Sequence, residues 1–164
     1  MNSDIAAIFL DHSIRKLEEM TRCIETCFSK LSDEQVWQRQ ADYENAIGNL
    51  ILHLCGNMRQ WIMHGVGGNP DVRVREKEFS TTGGPGAAQL LELLKETIGE
   101  ANGVLANLPH QRLAERTHPQ NRDVTVLEAI YQVVGHVQQH TGQIILLTKQ
   151  MSQQDLDLTM PRPR

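Results

Sequence analysis

Apolar residues recur at intervals of three, four and seven along four long stretches of the chain, the spacing of amphipathic helices. These stretches cover residues 2–30, 45–64, 87–108 and 125–151. Clusters of β-branched residues, which are typical of strands, are few. The pattern therefore predicts an all-α protein, a four-helix bundle of up-and-down type without a significant sheet.

The connections between the predicted helices differ in character. Ser32 and Gln35 have the spacing of a capping box, which predicts one short helical turn after the first helix. The long second link, residues 65–86, is rich in Gly and Pro, and we expect it to cross the bundle irregularly. A single domain should span residues 1–151, followed by a tail, 152–164, whose last residues, 159–164, are expected to fray.

Composition narrows the classes of function. With 164 residues, 40% of them hydrophobic, the chain is long enough for one domain with a sizeable core. A net charge of −4 and a pI near 6.0 give no electrostatic footprint for nucleic acid. The sequence shows neither an apolar run of about 18 residues nor a signal peptide, and its 3 cysteines fit reduced thiols. We therefore expect a cytoplasmic protein with no membrane or nucleic-acid partner.

Three histidines are the candidate chemistry of this chain. His136 and His140 are four residues apart on the last predicted helix, so both rings project from one face. This spacing is a common way to present two nitrogens to one transition metal, and His53 on the second helix is the candidate third ligand. The alternative for each ring is a half-buried side chain that is hydrogen-bonded to a carbonyl.

On both helices the histidines lie at the border between the apolar stripe and a polar flank. Such a border suits a metal at the mouth of a bundle, with water or substrate on its open side. Four amides lie on these flanks, where they can orient the rings or an incoming ligand, or can simply be solvated: Asn49, Gln60, Gln132 and Gln143. We expect no carboxylate on the metal-facing side, since Glu128 is turned away from the apolar stripe.

Other reactive residues are weaker candidates. Cys23 and Cys27 have a spacing that permits metal binding, but packing is the favoured interpretation, and Cys55 points away from the face of His53. The cations of the long link are expected to be solvated, with the alternative that they cover the open metal position and attract an anionic thiol cofactor: Arg73, Arg75 and Lys77.

Two segments carry a family resemblance. They are Asn49-Leu-Ile-Leu-His53-Leu-Cys-Gly-Asn57-Met-Arg-Gln-Trp61 and His136-Val-Gln-Gln-His140-Thr-Gly-Gln-Ile144. With the helix order and the long link between helices two and three, they resemble the DinB/YfiT-like superfamily of metal-binding four-helix proteins over residues 2–151. The resemblance implies a divalent ion, often zinc or nickel, on His53, His136 and His140, completed by water, and it implies a homodimer.

The resemblance does not imply one reaction. Some relatives transfer a low-molecular-weight thiol to an electrophile and one group isomerises maleylpyruvate, whereas the residues around the two motifs resemble a branch without a known reaction. Two functions stay open. One is a divalent-metal-dependent enzyme, such as a thiol S-transferase, and the other is a non-catalytic, stress-related protein that binds a metal or small ligand. Three histidines without a fourth protein ligand favour an open site.

Apolar residues outside the main stripe of the last helix also predict a homodimer: Val134, Ile145 and Leu146.

Overall fold

The structure, a computed structural model, describes residues 2–158, with side chains described from residue 5 onward. Five α-helices lie in this range: α1 (Asn2–Phe28), α2 (Ile47–Met58), α3 (Arg75–Ser80), α4 (Ala87–Ala106) and α5 (Val126–Ser152). The prediction of a helical bundle is confirmed, with α1, α2, α4 and α5 as its long helices. The segment expected to fray, residues 159–164, lies outside the described residues.

The four long helices enclose one core. Both α1 and α2 pack against α4 and α5, so α1 and α2 lie diagonally across the bundle. The prediction of a simple up-and-down arrangement is therefore wrong, because in such a bundle consecutive helices are neighbours. Each helix contributes fully buried side chains from its predicted stripe, for example Ile24, Leu54, Leu94 and Ile130. Leu156, beyond the end of α5, is also buried in this core. Among residues 2–158, no helix is long and apolar enough to cross a membrane.

In two connections, side chains cap the helix that follows by hydrogen bonds to its backbone. The backbone N–H of Ser32 donates to Gln35 Oε1 at 2.9 Å, and the N–H of Gln35 donates to Ser32 Oγ at 3.2 Å, which confirms the capping box. Before α5, a two-stranded antiparallel sheet pairs β1 (Arg116–Thr117) with β2 (Val124–Thr125). Thr125 then caps α5, since its hydroxyl oxygen accepts from the N–H of Glu128.

Helix α2 does not end at Met58 but continues as a π-helical segment, Arg59–His64. The wider turn is visible in the N–H of Gly65, which donates to the carbonyl of Gln60, five residues earlier, at 3.1 Å. The helical stretch therefore stops at Gly65, where the sequence predicts its end.

The long link is more ordered than its sequence predicts. The prediction that it crosses the bundle irregularly is wrong, because it joins the neighbouring helices α2 and α4 and contains α3. Its second half is fastened to α2. Asn49 Nδ2 donates to the carbonyls of Glu78 and Thr81 at 2.9 and 2.8 Å, and Arg39 Nη2 donates to the same Thr81 carbonyl at 2.8 Å. Because Asn49 is completely buried, these bonds fix α3 against the start of α2.

Candidate metal centre

The rings of His53, His136 and His140 meet at one point between α2 and α5. Their centroids are 4.9 Å (His53–His136), 5.2 Å (His53–His140) and 4.4 Å (His136–His140) apart. The Nε2 atoms of His53 and His136 are 2.8 Å apart, and one nitrogen from each of the three rings lies within 4.8 Å of the others. The predicted convergence of the three rings is confirmed, and the cluster can hold a metal ion.

The two helices that carry the rings run antiparallel. At one end of their contact, His53 on α2 meets His136 and His140 on α5. At the other end, Trp61, which follows His53 along the chain, lines a cavity with Leu127, which precedes both α5 histidines. His53 is buried, and the two α5 histidines are half-buried. The cluster therefore has a protein-covered side at His53 and a side at α5 that reaches solvent.

A carboxylate supports the buried ring from behind, at the nitrogen that faces away from the other two histidines. Glu78, on α3, brings its Oε2 atom to 2.8 Å from His53 Nδ1. Arg73 donates to both carboxylate oxygens, from Nε to Oε1 at 2.7 Å and from Nη2 to Oε2 at 2.8 Å. The exposed fraction of the side chain is 2% for Arg73 and 8% for Glu78, so this ion pair is shielded from water.

This contact determines which ring nitrogen of His53 carries the proton. A carboxylate accepts hydrogen bonds, so Nδ1 of His53 carries the proton and Nε2 keeps its lone pair. Burial alone would raise the pKa of Glu78, but the hydrogen bonds and charges of Arg73 and His53 outweigh it and hold that pKa below its usual value. Glu78 is therefore ionised at neutral pH. A carboxylate on the far nitrogen of a histidine is the arrangement that commonly orients metal ligands.

Gln143 gives similar support to the second ring. Its Oε1 atom lies 2.6 Å from Nδ1 of His140, so this amide oxygen accepts a hydrogen bond from Nδ1–H and leaves Nε2 unprotonated. Of the four amides singled out in the sequence, only Gln143 contacts a ring directly. Gln60 contacts Arg73 at 3.0 Å, Asn49 fastens α3, and Gln132 is exposed.

The two half-buried histidines are neutral at physiological pH. Burial, together with the nearby His140 and His53 rings, lowers the pKa of His136 to about 4. Burial, assisted by His53, also lowers the pKa of His140, although the bond to Gln143 opposes this shift. Neutral imidazole is the form that binds metals, so these rings need not lose a proton first.

The cations of the long link have three different environments. Arg73 is buried against Glu78, so the expectation that it is solvated is wrong for this residue. Arg75 lies over the ring of Phe79, at 4.9 Å from its centroid, and Phe79 in turn packs against His53 with centroids 4.8 Å apart. Lys77 is exposed. Arg73 lies on the Nδ1 side of His53, so it supports the ring from behind.

The cysteines take no part in the cluster. Cys27 and Cys55 are buried and Cys23 is partly buried, and all three are free thiols. Burial raises the pKa of each thiol, that of Cys55 to about 11. The interpretation as a packing residue is thus confirmed for Cys27, which lies in the core, and none of the three is poised as a thiolate.

Glu78 was missed because it is distant in sequence from the histidines, yet the sequence holds one signal of it. Gly56 lies inside α2, three residues after His53, where glycine weakens a helix. A Cβ atom at this position would collide with the Glu78 carboxylate and lie 3.2 Å from Arg73 Nε. The glycine at position 56, close in sequence to the candidate ligand His53, therefore indicates that another group packs closely there.

Comparisons with known proteins agree with this architecture. The family model described as "Protein of unknown function (DUF1572)" matches residues 4–164. The chain belongs to the DUF1572 family. Among curated proteins, no match is found.

Solved structures place this DUF1572 protein in the DinB-like fold. It is similar to a DinB-like protein from Bacillus cereus ATCC 10987, at 17% identity and a TM-score of 0.68, over 87% of this chain and 90% of that one. It is also similar to the DinB-like protein YjoA from Bacillus subtilis, at 16% identity and a TM-score of 0.65, over 85% and 91% of the two chains. The likeness shows the fold that the resemblance implied.

Replacing Gly56 with alanine should loosen the support of His53. We expect Gly56→Ala to lower the free energy of unfolding of the metal-free DUF1572 protein by about 1–3 kcal/mol, because the new methyl group displaces the Glu78 carboxylate from Arg73. Urea denaturation measures the change. Gly99→Ala on α4 is the matched control. A Cβ there meets nothing, so the substitution should stabilise by up to about 1 kcal/mol. Equal behaviour of the two variants would contradict the inferred tight contact.

Proposed function

We propose that this DUF1572 protein binds a divalent metal ion through His53, His136 and His140, and that the ion is zinc or nickel. The observation that carries the proposal is the convergence of three ring nitrogens within 4.8 Å. The donor set fits, because imidazole nitrogens suit zinc and nickel. The backing bonds fit as well, since Glu78 and Gln143 leave Nε2 unprotonated on two of the rings.

We further propose that the centre is the active site of a metal-dependent enzyme that acts on a low-molecular-weight thiol. Three neutral ligands leave an ion with its full charge and an open coordination position, where it would activate water or a thiol. The half-buried side at α5 gives a small molecule access to the cluster. The DinB-like fold supports the superfamily, whereas the choice of reaction is our proposal.

The protein's own side chains would hold this centre in place. Glu78 and Arg73 fix the ring of His53 from behind, Phe79 packs against one of its faces, and Gln143 orients His140. The nucleophile would come from the substrate, because burial raises the pKa of all three cysteines. Three free cysteines also suit the reducing, cytoplasmic setting that we propose.

The alternative is a non-catalytic role, in which the metal clamps α2 to α5 or the site holds a small ligand. One observation favours it. Both oxygens of Glu78, the carboxylate that touches the cluster, are already occupied by Arg73 and His53. Glu78 is therefore not free to act as a general base, and the chemistry would depend on the ion and the substrate.

Metal binding should depend on His140 and be tuned by Gln143. We expect His140→Ala to abolish Zn²⁺ binding at micromolar concentration, because it removes one of three ligands. Gln143→Ala should keep the site but weaken affinity about 10–100-fold through loss of ring orientation. Calorimetric titration of the metal-free protein measures both. His12→Ala, at an exposed histidine outside the cluster, is the control and should bind Zn²⁺ like the wild type. Unchanged binding by His140→Ala would disprove the proposed site.

Thiol transfer should require the loaded site. We expect the zinc- or nickel-loaded protein, but not the metal-free one, to accelerate the reaction of at least one low-molecular-weight thiol with monochlorobimane. The sulfur bonds to carbon, and chloride and a proton are released. Gln143→Ala should slow this reaction about 10–100-fold. A loaded protein that is inert towards a panel of thiols and electrophiles would favour the clamp, and full activity after metal removal would exclude a metal-dependent enzyme.

We also infer that the protein forms a homodimer. Leu146 on α5 is 58% exposed, and Ile5 and Ile8 on α1 are 68% and 65% exposed, which leaves large apolar side chains in water. Light scattering at micromolar concentration should give about twice the chain mass of 18.5 kDa. Leu146→Glu should lower the measured mass towards the monomer. A monomeric wild type would contradict the inference.

A further inference from the structure

A cavity separate from the three-histidine cluster lies behind it, on another side of α2. It measures about 240 Å³ and is bounded by α2, the long link, α3 and α4. None of the three histidines lines it. Its apolar walls come from α2, the link and α4: Leu52, Val72, Val74 and Leu93. At about 30 Å³ for each water, the space equals about eight water molecules, which is enough for a small organic ligand.

Two cations without partners line this cavity. Within residues 2–158, neither Arg59 nor Lys77 makes a side-chain hydrogen bond or ion pair. The third cation in the lining, Arg73, is neutralised by Glu78, which is also part of the lining. The cavity therefore has an excess of two positive charges beside apolar walls. An anion would find charge-assisted hydrogen bonds there that the protein itself does not use.

We propose that this cavity binds a small organic anion, a carboxylate on a short apolar chain. The carboxylate would lie between Arg59 and Lys77, and the chain would pack against Leu52 and Leu93 from the two helices. A purely inorganic anion would leave the apolar walls in water, and an uncharged chain would leave the two cations unused. The combination of walls and charges thus selects a molecule that has both parts.

The cavity touches the metal centre through one ion pair. Arg73 and Glu78 line the cavity, and the same Glu78 carboxylate holds Nδ1 of His53. An anion here would place negative charge next to Arg73 and leave Glu78 less neutralised, which favours a cation on the far side of His53. Anion and metal should therefore strengthen each other's binding, by the same factor in both directions. This coupling rests on the proposed metal site, whereas the anion site does not.

The binding site is tested on the full-length, metal-free protein by following amide signals during titration with four probes. Hexanoate carries both parts, acetate only the charge, 1-hexanol only the chain, and phosphate is an inorganic anion. We expect hexanoate to bind at least about tenfold more tightly than the other three and to shift the amides of Gly56 and Lys77. Preference for hexanol or acetate, or tighter binding of phosphate, would overturn the proposed ligand class.

Two matched variants locate the anion. Arg59→Gln and Lys77→Gln should each weaken hexanoate binding about three- to tenfold. Arg15→Gln, at an exposed α1 arginine outside the cavity, should leave it unchanged. Thermal denaturation checks that the variants fold like the wild type. Equal affinity in all three variants would place the ligand elsewhere and overturn the site, with the larger cavity of about 830 Å³ between α1 and α5 as the first alternative.

The coupling is tested by repeating the hexanoate titration with saturating Zn²⁺. We expect hexanoate affinity to rise about fivefold, and the rise to disappear in Glu78→Gln. If Zn²⁺ does not bind at all, the proposed metal function fails while the anion site stands on its own titrations. If Zn²⁺ binds and hexanoate affinity stays the same or falls, the coupling is wrong and the metal site is unaffected.

Discussion

The candidate centre depends on the carboxylate of Glu78, which lies between Arg73 and His53 in an interior that water barely reaches. An ionised carboxylate in this position would be costly without Arg73, and a buried arginine would be costly without Glu78, because breaking a buried pair commonly costs about 3–5 kcal/mol. Each group thus requires the other. Together they fix the proton of His53 on Nδ1, so the nitrogen that faces His136 and His140 keeps its lone pair. The ability of His53 to act as a metal ligand depends on this position of its proton.

The same ion pair explains why the long link is ordered. Glu78 can reach His53 only if α3 lies against α2, and that position is held by backbone carbonyls of α3 and the residue after it, which accept from Asn49 and Arg39. Gly56 allows the approach, because any side chain there would occupy the space of the carboxylate. An ordinary surface connection has no such fastening. Here the link forms one wall of the candidate metal centre and one wall of the cavity behind it, which is the basis of the coupling that we propose.

The sequence alone predicted the features that depend on local periodicity. Apolar spacing placed the four long helices, the spacing of His136 and His140 put both rings on one face, and the border position of His53 suggested its partner. The sequence could not place Glu78, because a contact across 25 residues depends on how α3 packs and not on any period. The charged run around Arg73 predicts a solvated segment, because charged side chains usually are exposed, and only burial against Glu78 reverses that expectation for Arg73. Three of the four amides lie three or four residues from a histidine on the same helix, a spacing that permits contact in each case, and only the structure shows that Gln143 is the one that contacts a ring.

The environment of the cluster also limits the chemistry it can support. The α5 rings are neutral because burial and their neighbours lower their pKa values, so neither is an imidazolium acid at neutral pH and both have the form that binds metals. Glu78 is occupied, and burial suppresses ionisation of the cysteines. Within the described residues, the cluster has well-oriented ring nitrogens, an occupied carboxylate and no cysteine poised as a thiolate, so in the function we propose the reactivity would come from the ion and from the molecule that binds it. The proposed function would therefore favour a substrate that ionises on binding, as a thiol does, over one that needs a protein base to activate it.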